Sequence, residues 1–558
     1  MMKLIYKYIL TVLVGCTLLF SCSDSFLEEI VLDRYAPESL NDRLGFDAAA
    51  IGLYHHFHWM STTDQDQTLI GIWHLGTDIL WAPSGRSNGD ARPYFDYAQM
   101  NSMDPAARKV WTALYRLINN ANILIQNAEG GQTTGMNQAE LDAFNAEARF
   151  FRAYAYNMLV TLYGDVPLLT EALTAPKTDF VRTPSAEVNA VIVEDLLFGV
   201  QSLPSPGNAS FESRVNKAMA HQLLAEVYLR IGQPVEAEAQ ADAIINSGRY
   251  SLVTGRYGVN ANQPGDPFSD MFLEGNLRRS QGNTEAIWVM EAENPSDVTG
   301  GSSSNPQQRR LWVSGYYDIP GMEPTDSLGG RGIARVRLNN WVLYDLYEEQ
   351  DMRNSKYNIK RQLYFNHPGS NYNNIRGQAV PYGQNSEFTL VNGNTIRIFQ
   401  ADTIWRMTPY STKWGHYDDR DPFGFGQWKD HMRMRLAETY LLRAEARFLQ
   451  GDLGGAAADI NMLRARANAS PVSAADINLD FILDERAREL LAEENRRMTL
   501  VRTGTLVDRA RRLTGTVPLA NGEIETTNGL QDFHMKMPIP QFEIDLNRDG
   551  ELTQNPGY

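Results

Sequence analysis

RLAETYLLRAEARFLQGDLGGAAADINMLRARAN, residues 435–468, reads as two helices joined at Gly451-Asp452. On the first, Ala437, Leu441, Ala444 and Phe448 recur at i, i+4, i+7 and i+11, the spacing of one buried stripe on a 3.6-residue helix. Ala456, Ile460, Leu463 and Ala467 repeat that arithmetic on the second. Small residues on facing stripes let two helix axes approach closely, as a helical hairpin requires.

The order of small residue, aromatic, Gly-Asp and alanine resembles the tetratricopeptide repeat, a helix pair that must stack on others to bury its outer face. Two further stretches carry it. LAEVYLRIGQPVEAEAQADAII (224–245) places Ala225, Tyr228, Gly232, Ala237, Ala241 and Ile244 in the same order, and AEARF stands at 146–150 as well as at 444–448. A tandem array repeats at about 34 residues. Gly232 and Gly451 lie far beyond that spacing, so a large segment is expected between the repeats. The fold class that follows is mainly α, a helical-repeat solenoid with a large irregular insert containing short β-strands.

At the other end, Lys3 and Lys7 precede an apolar run from Ile9 to Phe20, the charged and hydrophobic parts of an export leader, too short to span a bilayer. Ser21-Cys22 follows and the chain turns polar at once, the arrangement of a lipoprotein processing site with lipidation at Cys22. Cys16 fits the same pattern, but processing there would leave apolar Thr17 to Phe20 on the mature chain. Cys16 and Cys22 are the two cysteines, so cleavage before Cys22 leaves one, with no internal disulfide. The expected organisation is a signal peptide at 1–21, a helical region at 22–250, an irregular ligand-binding insert at 251–430, and a helical region with a tail at 431–558.

A formal net charge of −16 argues against a nucleic-acid or anionic-membrane surface. Between residues 275 and 361 there are 11 Lys+Arg and 11 Asp+Glu, a balance that demands no anionic ligand. Aromatic residues, 10% of the chain, gather in loops. GIWHLGTDILWAPSGRSNGDARPYFDY (71–97) sets Trp81 beside Asp78, Arg86 and Asn88, and LWVSGYYD (311–318) supplies Trp312, Tyr316 and Tyr317. Rings stack on the C–H faces of sugars while carboxylate, amide and guanidinium groups satisfy the hydroxyls, so these seven residues are the expected sugar platform.

Helical patterns run over 44–59, 105–129, 137–163, 185–203 and 215–231, and Pro167 forbids continuation of the third. Periodicity fades after Gly248; AIWVME (286–291) reads as a strand, and 388–391 with 395–399 flank Asn392-Gly393-Asn394 as a hairpin. His55, His56 and His58 match no closed metal set and are expected on a helix surface. Glu485, Glu489, Glu493 and Glu494 resemble an acid/base set for glycoside hydrolysis, but on one helix over 479–503 Glu485 faces Arg488, Glu489 faces Arg486, and Glu493 faces Arg496 and Arg497, as local ion pairs. DLNRDG (545–550) begins like a calcium loop whose required glutamate is replaced by Pro556. No nucleophile-elbow, zincin or phosphate-loop motif occurs, so neither catalysis nor a metal or other cofactor is expected.

Together, Cys22 with its leader, AEARFFRAYAYNMLVTLYGDVPL (146–168), RLAETYLLRAEARFLQGD (435–452), LDERARELLAEENRRMTLVRTG (483–504) and the closing LTQNPGY (552–558) resemble the SusD/RagB family of Bacteroidetes outer-membrane lipoproteins. The family's third passage carries glycine and then aromatic-aspartate where this chain has Asn495 and Met498-Thr499. The resemblance implies four tetratricopeptide-like units, a lipid anchor in the outer membrane facing the exterior, a glycan ligand, and a SusC-like TonB-dependent transporter as partner. Family binding residues vary with the ligand, and none transfers by motif. The competing readings are a peptide-binding helical scaffold and a glycoside hydrolase.

Overall fold

The computed structural model describes residues 41–62, 68–82, 91–130, 133–298, 306–333, 335–514, 516–519, 522–525 and 527–558. Cys22, the leader, Arg86 and Asn88 lie outside the described residues. Helix α1 (Arg43–Thr62) lies against α2 (Pro105–Gly130) and α3 (Gln138–Tyr163). Helices α4 (Ser185–Ser202), α5 (Lys217–Arg230) and α6 (Pro234–Ile245) follow, each packed on the one before. The next layer against α6 is α7 (Leu436–Leu449), with α8 (Leu453–Arg466) packed on α7. The repeat is therefore interrupted in sequence but not in space: the stack passes from α6 directly to α7 while the intervening chain loops out.

Local chemistry sets the helix ends. Asn137 and Glu140 cap α3 reciprocally, at 3.1 and 3.0 Å, and Gly164 (φ +78°) ends it. Gly451 takes φ +83° at the α7–α8 turn, and Asp452 accepts from the Gly455 N–H at 2.8 Å to start α8. The stripes named from sequence are buried, with Phe448 half-buried at the end.

The two AEARF segments also do the same work. Glu147 and Glu445 are buried and meet the later arginines Arg214 (2.9 Å) and Arg502 (2.8 Å). Arg149 and Arg447 each reach an aspartate on the following helix, Asp195 (3.1 Å) and Asp459 (3.0 Å). Those aspartates also hold Arg152 and Arg443.

The insert is sewn into this frame. Strand β1 (Ala286–Met290) pairs antiparallel with β2 (His431–Arg435), and Trp288 lies stacked on Phe57 at 5.3 Å and edge-on to Phe150 at 5.5 Å, so one core runs through both. A satellite core of the insert gathers Val313, Tyr316, Phe365, Val380, Ile398 and Tyr410. Over it folds the hairpin Ser386–Thr389 with Thr395–Ile398, whose first strand begins two residues earlier than its sequence pattern suggests.

The expected helix over 479–503 is broken. α9 (Leu479–Glu489) and α10 (Arg496–Arg502) are separated by a bend in which Ala492 has φ +68°. Of the expected local pairs, Glu485–Arg488 forms (2.9 Å). Glu489 instead takes Arg353 (2.9 Å), Arg435 (2.7 Å) and Arg466, while Glu493 takes Lys413 and Arg435 (2.7 Å). Arg486 goes to Glu494 and Glu438. Arg353 and Lys413 belong to the insert, so buried charge fastens it to the C-terminal helices. Burial raises the Glu489 carboxyl, but Arg466, Arg435 and Arg353 outweigh it and hold the group well below the carboxylate range, the opposite of a general acid. His55 is exposed, whereas His56 and His58 are half-buried, so the histidines are only in part a surface set.

Candidate functional site

The structure overturns most of the expected platform. Asp78 is fully buried, and its carboxylate accepts from Arg496 Nε and Arg509 Nε, both at 2.8 Å. Burial raises that carboxyl, yet the two guanidinium groups prevail and hold it below its ordinary value. Trp81 is 1% exposed, in a two-residue strand paired with Arg337–Leu338, under the Arg337 guanidinium. Trp312 is 2% exposed and edge-on to His74 at 5.0 Å. Tyr316 is buried in the satellite core, its hydroxyl donating to the Gly330 carbonyl at 2.8 Å. Loop 71–82 and segment 311–318 thus meet, but through buried rings. Those four side chains build the wall on which a site stands, and Tyr317 reaches solvent.

Around Tyr317 a different set of groups assembles. The segment Asp421-Pro-Phe-Gly-Phe-Gly makes a turn, closed by the Gly424 N–H donating to the Asp421 carbonyl at 2.9 Å, and carries Phe423 and Phe425. They are 56% and 49% exposed. Leaving such rings in water forgoes about 1.5–3 kcal/mol each relative to burial, and grouped exposed rings mark interaction surfaces.

The loop carrying them is held from beneath by buried Arg309, which donates to the carbonyls of His416 (2.8 Å) and Gly424 (2.6 Å). Gln427 completes the brace, accepting from the Arg309 N–H at 2.6 Å and donating to the Trp414 carbonyl at 2.7 Å. Phe423 meets Tyr317 edge-on at 5.9 Å. Arg331 Nε donates to the Tyr317 hydroxyl at 3.1 Å and Nη1 to the Phe423 carbonyl at 2.9 Å. The guanidinium groups of Arg310 and Arg331 lie 4.4 and 4.6 Å from the centre of the Phe425 ring.

The result is a braced group of three rings, Phe423 and Phe425 exposed and Tyr317 half-buried, with two planar cations against Phe425, able to stack on sugar faces and to donate to sugar oxygens. Sequence reasoning passed over Phe423, Phe425, Arg310 and Arg331. The Phe-Gly-Phe-Gly alternation was the available signal, since glycines around rings offer no periodicity by which to bury them. No group of His, Cys, Asp and Glu able to hold a metal ion occurs among the described residues.

Residues 273–558, just over half of the chain, match the family model described as the SusD family. The chain belongs to the SusD family. In this SusD-family chain, residues 87–229 also match a model described as "Starch-binding associating with outer membrane". A SusD-like protein of Formosa agariphila is 26% identical over 98% of this chain and 99% of its own length. The starch-binding protein SusD of Bacteroides thetaiotaomicron is 26% identical over 76% of this chain and 75% of its own. A solved laminarin-binding SusD-like protein superposes with a TM-score of 0.68 at 21% identity, covering 93% of this chain and 100% of that one. That likeness is one of fold, and it places the interrupted helical stack among SusD-like architectures.

Proposed function

We propose that this SusD-family protein is a non-catalytic glycan-binding lipoprotein of the outer membrane, facing the exterior, and that Tyr317, Phe423 and Phe425 form its sugar-stacking surface. The observation that carries the reading is the pair of exposed rings in a loop braced by Arg309, within a family whose members include starch- and laminarin-binding proteins. Exposed aromatic surface on a preorganised loop binds without paying to order itself. Arg86 and Asn88, outside the described residues, remain proposed contributors from the sequence after Ala82. Calorimetry with a panel of oligosaccharides tests this. Phe423→Ala and Phe425→Ala should each weaken binding by on the order of 1–3 kcal/mol, by analogy with ring stacking on bases, with an unchanged melting temperature. Undiminished affinity in both variants removes the site, and release of shorter products removes the non-catalytic reading.

The anchor and the partner belong to the same proposal. Cys22→Ala should release the protein from membranes washed in high salt. No helix among the described residues is long and apolar enough to cross a membrane. A tethered binder raises ligand concentration at a pore, and a SusC-like TonB-dependent barrel is the proposed receiver. Purification of the tagged protein from detergent-solubilised outer membranes should recover such a barrel in comparable amount. Recovery without one counts against delivery.

A further inference from the structure

The geometry points to a ligand bearing anionic substituents, carboxylate or sulfate, on its sugar units, held by Arg310 and Arg331 at the ring cluster. This rests on the reading of that cluster as the glycan site. It departs from the balanced charge of residues 275–361, because what matters is how the fold distributes those charges. In this chain of net charge −16, many buried guanidinium groups find carboxylates: Arg353, Arg435, Arg466, Arg496 and Arg509 each pair with at least one, while buried Arg309 and Arg497 are satisfied by backbone carbonyls in the interior. Among the described residues, neither Arg310 nor Arg331 has such a partner. Arg310 Nη1 donates to Gln307 Oε1 at 2.8 Å, and its Nε is buried with no acceptor. Arg331 spends its bonds on a phenol oxygen and a backbone carbonyl, both neutral.

The neighbouring carboxylates do not close the account. Asp318 lies 3.9 Å from Arg406, and Asp421 acts on Arg309. What surrounds Arg310 is charge of its own sign: burial, then Arg331 and Arg335, push its guanidinium down to about 10, which leaves it protonated at neutral pH. Two cations set against one exposed ring, without a carboxylate partner among the described residues, are costly for the unliganded protein. A bound anion removes that cost. Guanidinium forks match carboxylate and sulfate oxygens in pairs, while Tyr317, Phe423 and Phe425 supply faces for the sugar carbons. A neutral glycan would use the rings and leave the cations unmatched.

The test is calorimetry on the detergent-solubilised full chain with three probes: an oligogalacturonide, an ι-carrageenan oligosaccharide and laminarihexaose. At least one charged probe should bind more tightly than laminarihexaose, with affinity that falls as sodium chloride rises. Arg310→Gln and Arg331→Gln should each weaken that probe on the order of tenfold, and Arg331→Lys should recover part of the loss. Preference for the oligogalacturonide assigns the site to uronates, and preference for the carrageenan fragment assigns it to sulfate esters. The salt dependence of the unaltered protein needs no variant to fold.

Laminarihexaose binding that is lost in Phe425→Ala but untouched in Arg331→Gln, with no charged probe bound, overturns the anionic assignment and leaves the glycan site standing. Charged-probe binding that is insensitive to both arginine variants also overturns it. Failure of all three probes sinks the glycan site together with its specificity.

Discussion

A carboxylate in a glycine-rich loop is as ready to accept from a sugar hydroxyl as from a guanidinium, and nothing local to Asp78 chooses between them. The choice is made by Arg496 and Arg509, 418 and 431 residues further along the chain. Asp78→Asn should therefore cost about 3 kcal/mol of stability, the penalty of leaving buried cations short of a partner, read as a lower urea midpoint. Glycan affinity should be unchanged, because Asp78 faces no ligand. Its folded value lies below the ordinary 3.8, so this stabilisation is present above that pH and lost as pH falls through the folded value. Glu438 has the opposite sign. Burial raises its carboxyl, Glu226 and Glu494 add to that, and against Arg486 the group still reaches about 7. Its contribution is full below the ordinary 4.5 and fades as pH rises through about 7. Thermal melts of Glu438→Gln from pH 5 to pH 8 should show a flatter decline than the unaltered protein; an identical slope shows that this carboxyl is not the titrating group.

At the scale of elements, helices were legible where their causes are local: the apolar stripes, the Asn137–Glu140 cap, and glycine at the turns. The hairpin over 386–398 could be read because Asn392-Gly393-Asn394 lies between its strands. The partner of β1 could not. His431–Arg435 pairs with it across more than a hundred intervening residues, and no local pattern announces such a ladder. The break at Ala492 was hidden for a related reason, since buried arginines from three other segments hold Glu489 and Glu493 and override the helical period. Turns differ in what they tolerate. Gly451 has φ +83° and open space around a Cβ, so Gly451→Ala should cost about 1 kcal/mol and leave binding alone. Gly330 has φ +72°, and a Cβ there would stand 2.1 Å from the His416 carbonyl, one of the two that Arg309 holds. Gly330→Ala should shift the ring loop and weaken glycan binding several-fold without touching the ligand. Calorimetry beside thermal melts separates the two effects.

For the whole molecule, the solenoid was readable because its repeat is written in side chains that stack, whereas the exposed rings were not, because exposure is decided by everything that fails to cover them. Trp288 among Phe57, Phe150 and Tyr154, and Arg353 with Glu485 and Glu489, tie insert to frame through both core and charge. The two should lose structure together. Far-ultraviolet circular dichroism and tryptophan fluorescence are expected to report one coincident urea transition, and separated midpoints would show an insert that melts alone. The satellite core around Val313 and Tyr410 stands apart from these ties. That division decides how far a substitution reaches: one among the tied residues should disturb the stack, whereas one in the outer lobe that carries Tyr317 should leave the helices in register.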